Sequence, residues 1–540
     1  MNRLYLYDTT LRDGSQAEGI SLSVDDKLRI ASKLDDLGIP FIEGGWPGAN
    51  PKDDAFFARL GELQLRHSEV VAFCSTRRSG MSAKADLGLQ KVLEANTRWI
   101  TTFGKSWDLH VHESLRTSLE ENLAMIADTI HFFREAGRRV IFDCEHFFDG
   151  YHKNPEYALA TVQTAAEAGA EWVVLCDTNG GMLPHQIQAV VETVQKFCKE
   201  KALTCGLGIH THNDSETAVA NALAAVMQGV LMIHGTVNGY GERCGNANLC
   251  ALIPNLQLKM GFELLSSEQL ANLTATSHFV SEVANLAPNE HAAYVGLSAF
   301  AHKGGIHVSA VRRNPQTYEH IVPESVGNSR RIVISEQAGA SNILQKLADF
   351  GLYFERTDPR LQEILVRLKQ LESQGYQFEA ADASFELLVR ESLGERKLYF
   401  SLEGLYTSCQ TFPDQSVRSE ATVRVRVGDK LQHTAAEGNG PVSALDSALR
   451  KALTDFYPQV AHMHLADYKV RILDGTTGTS ALTRVLIEFS NGLKRWTTIG
   501  VSPNIIEAST RAIVDGLEYG LMSSGMHPTE KCLREILHQN

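Results

Sequence analysis

The sequence has few of the features that extracellular or nucleic-acid-binding proteins use. Its nine cysteines are an odd number and include no CxxC pair, which predicts reduced thiols in a cytoplasmic protein and not a disulfide framework. The net charge is −13, and no long run of Lys or Arg offsets it. Because polyanions bind to basic surfaces, we expect no nucleic-acid partner.

Long hydrophobic segments are also absent from the sequence. The longest apolar region, Ala222–Ile233, is interrupted by Gln228 and is too short to span a bilayer. The first residues, MNRLYLYDTT, turn polar too soon for a signal peptide. We therefore expect no membrane partner. With 540 residues, 43% of them hydrophobic, the chain is long enough for several domains with sizeable cores.

Short β-rich runs alternate with longer amphipathic runs from residue 5 to about residue 260. Eight βα units in roughly 250 residues predict a TIM barrel, which we assign to residues 1–270. A doubly wound open sheet is the alternative, but no Gly-rich dinucleotide turn follows the first strand. The eight strand candidates are Leu4–Thr10, Pro40–Gly44, Glu69–Ser75, Arg98–Phe103, Arg139–Cys144, Glu171–Asp177, Thr204–His210 and Leu231–Val237.

The remaining chain divides into a helical linker arm, residues 271–380, and an α+β domain, residues 381–540. The arm has a loop-like middle, FAHKGGIHVSAVRRNPQTY. In the last part, ASFELLVR, LYFSLEGLY, ATVRVRVGD, DYKVRILD and TRVLIEFS predict strands. Two helical runs, VSALDSALRKAL and NIIEASTRAIVDGL, each follow a Gly-x-x-Pro sequence that predicts Pro near the first helical position. This similarity indicates an internal pseudo-repeat.

The stretch LYLYDTTLRDG predicts a buried strand that ends in Arg12 and Asp13. Burial of such a pair is costly unless a ligand or metal completes the charge balance. His210 and His212 flank Thr211 in HTHND, and residues two apart on a strand point to one side. Two imidazoles and one carboxylate suit a catalytic divalent ion, and Mn, Mg and Zn are all admissible. The alternative is that both histidines are ordinary polar residues.

Three further patterns carry weaker indications. His110-Val111-His112 repeats the H-x-H pattern in a loop-like context, where we expect substrate contact or support of a ligand and not metal binding. The loop GYGERCGN contains three glycines that allow close backbone approach, or it is only a turn. Glu145, among aromatic residues at a strand end, is suited to proton transfer, or it is a hydrogen-bonded structural carboxylate.

The motifs TLRDG, HTHND and GYGERCGN, in this order, resemble those of the DRE-TIM metallolyases. The closer match is the branch of isopropylmalate, citramalate and homocitrate synthases. FAHKGGIH, followed by Asn314 and Tyr318, resembles the catalytic arm of that branch, and the C-terminal repeat resembles its amino-acid-sensing domain. FIEGGWPGANPKD and FDCEHFFDGY look most like citramalate synthases, since isopropylmalate synthases more usually show an E-x-G-F-P type sequence at the first of these.

The resemblance implies a role for each matching residue near the barrel. Asp13, His210 and His212 would be metal ligands, and Asn246 would be a fourth ligand or would hold a metal-bound water. Arg12 would stabilise the oxyanion on the reacting carbonyl or enolate.

The same resemblance implies a second set of residues that act on the substrates. Asp143, Glu145 and Thr178 would contact the 2-oxoacid or the catalytic water. His307 and Tyr318 would reach over the barrel mouth, from a neighbouring subunit. Asn314 would assist them, and His302 also lies in the arm motif.

The reaction that the resemblance implies is a Claisen condensation of acetyl-CoA with pyruvate, then thioester hydrolysis, which yields (R)-citramalate and CoA for isoleucine biosynthesis. It also implies a homodimer inhibited by isoleucine through the C-terminal domain, although a dimerisation module without a ligand is an alternative. Other possibilities are an isopropylmalate or homocitrate synthase, a retro-aldol lyase or carboxyltransferase on the same barrel, and a non-catalytic amino-acid sensor. The intact Arg12, Asp13, His210 and His212 set argues against the sensor.

Overall fold

Eight consecutive strands pair in parallel and close into a barrel in chain order. This is seen in a computed structural model that describes residues 4–302, 305–332, 340–355, 358–413, 415–473, 481–492 and 494–525. The predicted barrel is confirmed, and each predicted strand overlaps an observed one. The strands are β1 (Tyr5–Asp8), β2 (Phe41–Gly45), β3 (Glu69–Ser75), β4 (Trp99–Lys105), β5 (Arg139–Glu145), β6 (Trp172–Asp177), β7 (Gly206–Thr211) and β8 (Met232–Gly235).

At least one helix follows every strand of the barrel. The first of them begins with a capping box between Ser23 and Asp26 and ends at Gly38, whose φ of 91° is left-handed. Its residues Ile30 and Leu34 belong to the large apolar cluster that also contains strand residues such as Ile42. The helices are α1 (Val24–Leu37), α2 (Pro51–Ala58), α3 (Leu87–Glu94), α4 (Asp108–His110), α5 (Leu119–Glu135), α6 (Phe147–Lys153), α7 (Pro155–Glu167), α8 (Pro184–Glu200), α9 (Ala218–Met227) and α10 (Leu249–Pro254).

A second, smaller apolar cluster contains residues from seven of the eight barrel strands. Its buried members are Tyr7, Phe41, Val71, Trp99, Ile141, Val174, Cys176 and Met232. On β7 the matching position is Gly208, where a Cβ would lie 2.8 Å from Cγ2 of Val174. Because side chains on one face of a strand are two residues apart, the positions that follow on this face lie at the carboxyl ends of the strands.

The chain divides into two compact units, residues 1–301 with 319–331, and residues 302–318 with 332–540. Among the described residues, none of the helices is long and apolar enough to cross a membrane. The elements between the barrel and the last part are α11 (Ser267–Leu270), α12 (Leu273–Val283), β9 (Ala301–His302), α13 (Gly305–Arg313), β10 (Arg331–Ile332), α14 (Ala340–Asp349) and α15 (Pro359–Ser373). The middle of the arm, expected to be loop-like, therefore contains the helix α13.

The last part contains two antiparallel sheets, each followed by a helix. The first has β11 (Ser401–Thr411), β12 (Val417–Val427) and β13 (Lys430–Gly438), then α17 (Pro441–Leu453). The second has β14 (His464–Ile472), β15 (Thr483–Ser490) and β16 (Arg495–Ser502), then α18 (Ile505–Ser523). The predicted pseudo-repeat is confirmed. Pro441 occupies the first helical position, whereas Pro503 precedes the N-cap residue Asn504.

The prediction of a strand at ASFELLVR is wrong, because these residues form the helix α16 (Asp382–Ser392). Its seven residues from Ala383 to Val389 are all buried, and they include the polar Ser384 and Glu386. Ala383 belongs to the apolar cluster beneath the two sheets, and Phe385 belongs to the cluster with α14 and α15. Because Ser384 and Glu386 alternate with apolar residues, the run shows the period of two that predicts a strand, and burial on nearly all sides hides the helical period.

We predict that Phe385→Ala destabilises the second unit by about 3–5 kcal/mol, because it leaves a cavity where a fully buried ring lies beside the rings of Phe350 and Phe378. Urea unfolding followed by circular dichroism measures the loss. Val366→Ala on α15 is the control, since Val366 is 55% exposed, and it should change stability by no more than ~0.5 kcal/mol. Equal effects of the two substitutions would contradict the burial of Phe385.

Candidate active site

Polar side chains at the carboxyl ends of the barrel strands line one cavity of about 230 Å³. Two of them occupy inward-facing strand positions that follow the interior cluster, since Asp143 lies two residues beyond Ile141 and His210 lies two beyond Gly208. The structure thus brings together residues that are far apart in sequence. The cavity is lined by seven of the residues that the sequence analysis selected: Arg12, Asp13, Asp143, Glu145, Thr178, His210 and His212.

Asp13, His210 and His212 converge at the base of this cavity. Oδ2 of Asp13 lies 3.4 Å from Nε2 of His210 and 4.0 Å from Nε2 of His212. All three side chains are buried, and one potential ligand atom from each lies within 4.8 Å of the others. Two imidazoles and a carboxylate form a donor set that suits a divalent cation with open coordination positions.

Asn246 approaches this cluster from the Gly-rich loop after β8. Its Oδ1 lies 2.9 Å from Nε2 of His210, and its Nδ2 donates a hydrogen bond of 3.0 Å to the carbonyl of Tyr240. The turn that presents it requires glycine, because Gly245 has a φ of 90° and a Cβ there would lie 1.9 Å from the carbonyl oxygen of Gly239. The loop is therefore a specific support for Asn246 and not merely a turn.

Arg12 is held between two carboxylates. Its Nη1 lies 3.2 Å from Oδ2 of Asp13, and its Nε donates a 2.5 Å hydrogen bond to Oε2 of Glu43. The guanidinium also lies 3.9 Å from the ring centroid of Phe73. The hydroxyl of Tyr7 donates to Oε1 of Glu43 at 2.8 Å. Glu43 therefore supplies part of the charge balance that a buried Arg needs.

The electrostatic surroundings set the protonation states of Asp13 and His212. Burial acts to raise the pKa of Asp13, but the charge of Arg12 and the hydrogen bond with His210 outweigh it and hold the pKa well below its usual range. Burial, and then the nearby His210, lower the pKa of His212 to about 3. Near neutral pH, Asp13 is ionised and His212 is uncharged, which are the forms in which both groups bind cations.

Asp143 is a buried carboxyl group deeper in the cavity. Burial raises the pKa of Asp143 to about 7, and its Oδ1 has no hydrogen-bond partner among the described residues. Near neutral pH a part of the population carries the proton, so this group can either donate a hydrogen bond to a ligand oxygen or accept one.

Glu145 and Thr178 also line the cavity. Oε2 of Glu145 lies 2.5 Å from Nζ of Lys105. Oγ1 of Thr178 accepts a 2.9 Å hydrogen bond from the backbone N–H of His146, which leaves the hydroxyl proton available to a ligand.

Sequence reasoning missed several side chains of the site. Lys105 lies on the inward face of β4, two residues beyond Phe103, and Trp46, Phe73 and Phe103 form an aromatic wall with centroid separations of 5.2 to 5.8 Å. His234, two residues beyond Met232 on β8, is fully buried. The alternation along each strand was the signal that could have located both: His234 lies within its predicted strand, and Lys105 lies two residues past the end of its own.

The second H-x-H pattern lies in a different context. His110 ends α4, and His112 is an exposed residue in the following π-helical turn, Val111–Leu115. The ring of His110 lies 4.3 Å from that of His146. Because the two histidines are on a helical segment and not on a strand, they do not project to one side as His210 and His212 do.

His307, Tyr318 and Asn314 belong to the second compact unit. The rings of His307 and Tyr318 stack with centroids 4.1 Å apart, and both side chains are exposed. Asn314 accepts a hydrogen bond from the backbone N–H of Gln316 at 3.0 Å. His307 and Tyr318 therefore form a pair on α13 and the turn after it.

Family models match nearly the whole chain. The HMGL-like model matches residues 3–280, the homocitrate synthase post-HMGL domain-like model matches residues 294–376, and the LeuA allosteric (dimerisation) domain model matches residues 379–521.

Full-length relatives are similar to this chain over almost their entire length. The (R)-citramalate synthase of Synechocystis sp. is 62% identical over 96% of this chain and 96% of its own. The (R)-citramalate synthase of Geobacter sulfurreducens is 52% identical over 97% of this chain and 98% of its own. The (R)-citramalate synthase of Aquifex aeolicus is 52% identical over 96% of this chain and 98% of its own.

At the end of β1 we predict a pH dependence of stability that arises from Asp8. Burial raises the pKa of Asp8 from 3.8 to about 7, despite hydrogen bonds from Thr10. A carboxyl group whose pKa rises on folding stabilises the fold fully below its unfolded pKa, and this contribution is lost as pH rises through about 7. The free energy of unfolding of wild type, relative to that of Asp8→Asn, should therefore decrease by on the order of 1 kcal/mol per pH unit between about pH 4 and pH 7.

Urea unfolding of both proteins at pH 5, 6 and 7 measures this difference. Asp36→Asn, at an exposed position of α1, controls for the loss of a surface carboxylate. A difference between wild type and Asp8→Asn that stays constant over this range would contradict the raised pKa.

Proposed function

Because this chain belongs to the (R)-citramalate synthases, within the HMGL-like family, we propose that it condenses acetyl-CoA with pyruvate and hydrolyses the thioester to give (R)-citramalate and CoA. The observation that supports this most directly is the buried group of Asp13, His210 and His212 beside Arg12 at the carboxyl end of the barrel. Such a group combines a cation site with a fixed positive charge. Both are needed where a negatively charged 2-oxoacid reacts through a developing oxyanion.

Asp13, His210 and His212 would hold the divalent cation. Asn246, with its oxygen directed at Nε2 of His210, would be the fourth ligand or would hold a bound water. The mixed nitrogen and oxygen donors are compatible with Mn, Mg or Zn. When bound, the cation would supply Lewis-acid polarisation of the ketone.

The chain's own polar groups orient the 2-oxoacid. Arg12 has five N–H donors, and Glu43 and Asp13 engage only part of them. Its remaining donors can bind the oxyanion that forms when the ketone carbon is attacked, and its position is already fixed by the two carboxylates. The hydroxyl of Thr178 and the carboxyl group of Asp143 supply further hydrogen bonds to the oxygens of pyruvate.

The condensation requires a base that removes a proton from the methyl group of acetyl-CoA. Glu145, paired with Lys105 at 2.5 Å, and His307, stacked on Tyr318, are the candidates. The methyl carbon then bonds to the ketone carbon of pyruvate, and the resulting alkoxide takes up a proton. Water attacks the thioester carbonyl, so that the carbon–sulfur bond breaks and CoA leaves.

The proposal assigns catalysis to residues 1–270, a linker and lid to residues 271–380, and regulation to residues 381–540. The match to the LeuA allosteric (dimerisation) domain over residues 379–521 supports dimerisation and an effector for the last part. We propose isoleucine as that effector and a homodimer as the assembly, because isoleucine is the end product that the resemblance to citramalate synthases implies.

Purified protein with a divalent metal should release CoA from acetyl-CoA in the presence of pyruvate, as measured with a thiol reagent. Asp13→Asn should lower kcat/KM by roughly 100-fold or more, because it removes a charged ligand and the partner of Arg12. Asp36→Asn, an exposed change of the same chemistry, should have no effect.

Parallel assays with 2-oxoisovalerate and 2-oxoglutarate test the neighbouring specificities. If either acid is turned over faster than pyruvate, that acid replaces pyruvate as the proposed substrate. No CoA release with any of the three acids would refute the synthase, and full activity of Asp13→Asn would refute the metal site.

Isoleucine should inhibit the full-length enzyme by about 5-fold or more at saturation, the usual size of an allosteric coupling, and leucine should inhibit less. Initial rates over a range of both amino acids measure this. The effector assignment fails if neither amino acid changes the rate, or if a chain ending at Gln377 keeps the response.

A further inference from the structure

His234 is a fully buried imidazole beneath the candidate metal site, and none of the steps above uses it. It lies on β8, in register with Tyr7 on β1. The two rings stack with centroids 3.9 Å apart and an interplanar angle of 12°. The ring of His234 therefore has a fixed plane inside the barrel.

The polar contact of His234 is with a proposed metal ligand. Its Nδ1 lies 3.3 Å from Nδ1 of His210. The other nitrogen of His210, Nε2, faces Oδ2 of Asp13 at 3.4 Å and Oδ1 of Asn246 at 2.9 Å. His210 is thus held at both ends of its ring, with Nε2 directed toward the cluster and Nδ1 directed toward His234.

A neutral imidazole carries one N–H, and the nitrogen that binds a cation must offer its lone pair. For Nε2 of His210 to do so, the proton must be on Nδ1, where it needs an acceptor. Nδ1 of His234 is in position to be that acceptor.

We propose that His234 is a positioning residue, whose Nδ1 accepts the Nδ1–H of His210 and thereby fixes the tautomer and ring orientation that present Nε2 to the cation. This inference rests on the metal site proposed above.

A closed series of contacts gives His234 its own support. Tyr7, which stacks on it, donates its hydroxyl proton to Glu43 at 2.8 Å. Glu43 accepts from Arg12 at 2.5 Å, and Arg12 contacts Asp13 at 3.2 Å. Asp13 in turn contacts His210, which contacts His234, so the series is closed. A shift of the His234 ring would therefore disturb both His210 and, through Tyr7, the residues around Arg12.

A second cation held by Asp143, His210 and His234 is the competing assignment, because potential ligand atoms of these residues also lie within 4.8 Å of one another. Two cations sharing His210 would need lone pairs on both of its nitrogens, and a neutral imidazole offers only one. The hydrogen bond between His210 and His234 therefore accounts for the geometry better.

The experiment measures binding of Mn²⁺ to the full-length protein, with free Mn²⁺ followed by electron paramagnetic resonance. Gln and Met have similar lengths, but Gln offers a strong amide-oxygen acceptor and Met only a weak thioether acceptor. His234→Met should weaken Mn²⁺ binding by about 10- to 100-fold, whereas His234→Gln should stay within ~3-fold of wild type. Met232→Leu, a buried change on the same strand, is the control and should bind as wild type does.

The outcomes separate the inference from the proposed function. A wild type that does not bind Mn²⁺ overturns the metal site and the role of His234 together. A wild type that binds one Mn²⁺ per chain, with equal affinity in His234→Met and Met232→Leu, overturns the role of His234 alone. Two Mn²⁺ per chain in wild type also overturns it, in favour of the second cation.

If His234→Met does not fold, nitrogen NMR of wild type loaded with Zn²⁺ decides the question. The expected result is a proton on Nδ1 of His210 when Zn²⁺ is bound. A proton-free Nδ1 would overturn the inference.

Discussion

Arg12 lies between two buried carboxylates, Asp13 and Glu43, and the site is arranged around this shared charge. Without both carboxylates the buried guanidinium would be an uncompensated charge, which is strongly destabilising. The two contacts fix the direction of Arg12, and they also fix Asp13 beside His210. The same interaction that balances the charge therefore places the proposed cation ligands and the proposed oxyanion donor together.

The alternation of the barrel strands explains why chemistry gathers at one end. Interior residues such as Ile141 and Met232 fill the barrel, and inward positions nearer the carboxyl ends of the strands, such as Asp143 and His210, open into the cavity. Because every strand is parallel, all carboxyl ends meet at one rim. The Gly-rich loop after β8 adds Asn246, whose Oδ1 lies 2.9 Å from Nε2 of His210.

The second unit is built differently, because each of its two similar sheets is covered by a helix. The apolar positions of β12 and β15 alternate, whereas α17 and α18 bury one side against them. The helix α16 lies between two apolar clusters and is buried on nearly all sides. This burial, together with the alternation of Ser384 and Glu386 with apolar residues, explains why its sequence resembles that of a strand.

The sequence by itself determined the order of the eight barrel strands and the repeated unit at the end, because both depend on local periodicity. It also determined which residues could bind a cation, since two imidazoles two residues apart share a face only on a strand. Tertiary structure decided the pairing of Arg12 with Glu43, the contact of Lys105 with Glu145, and the place of His234 beneath His210. These contacts join residues that are 24 to 40 positions apart, and no local pattern encodes such distances, because they arise only when the barrel closes.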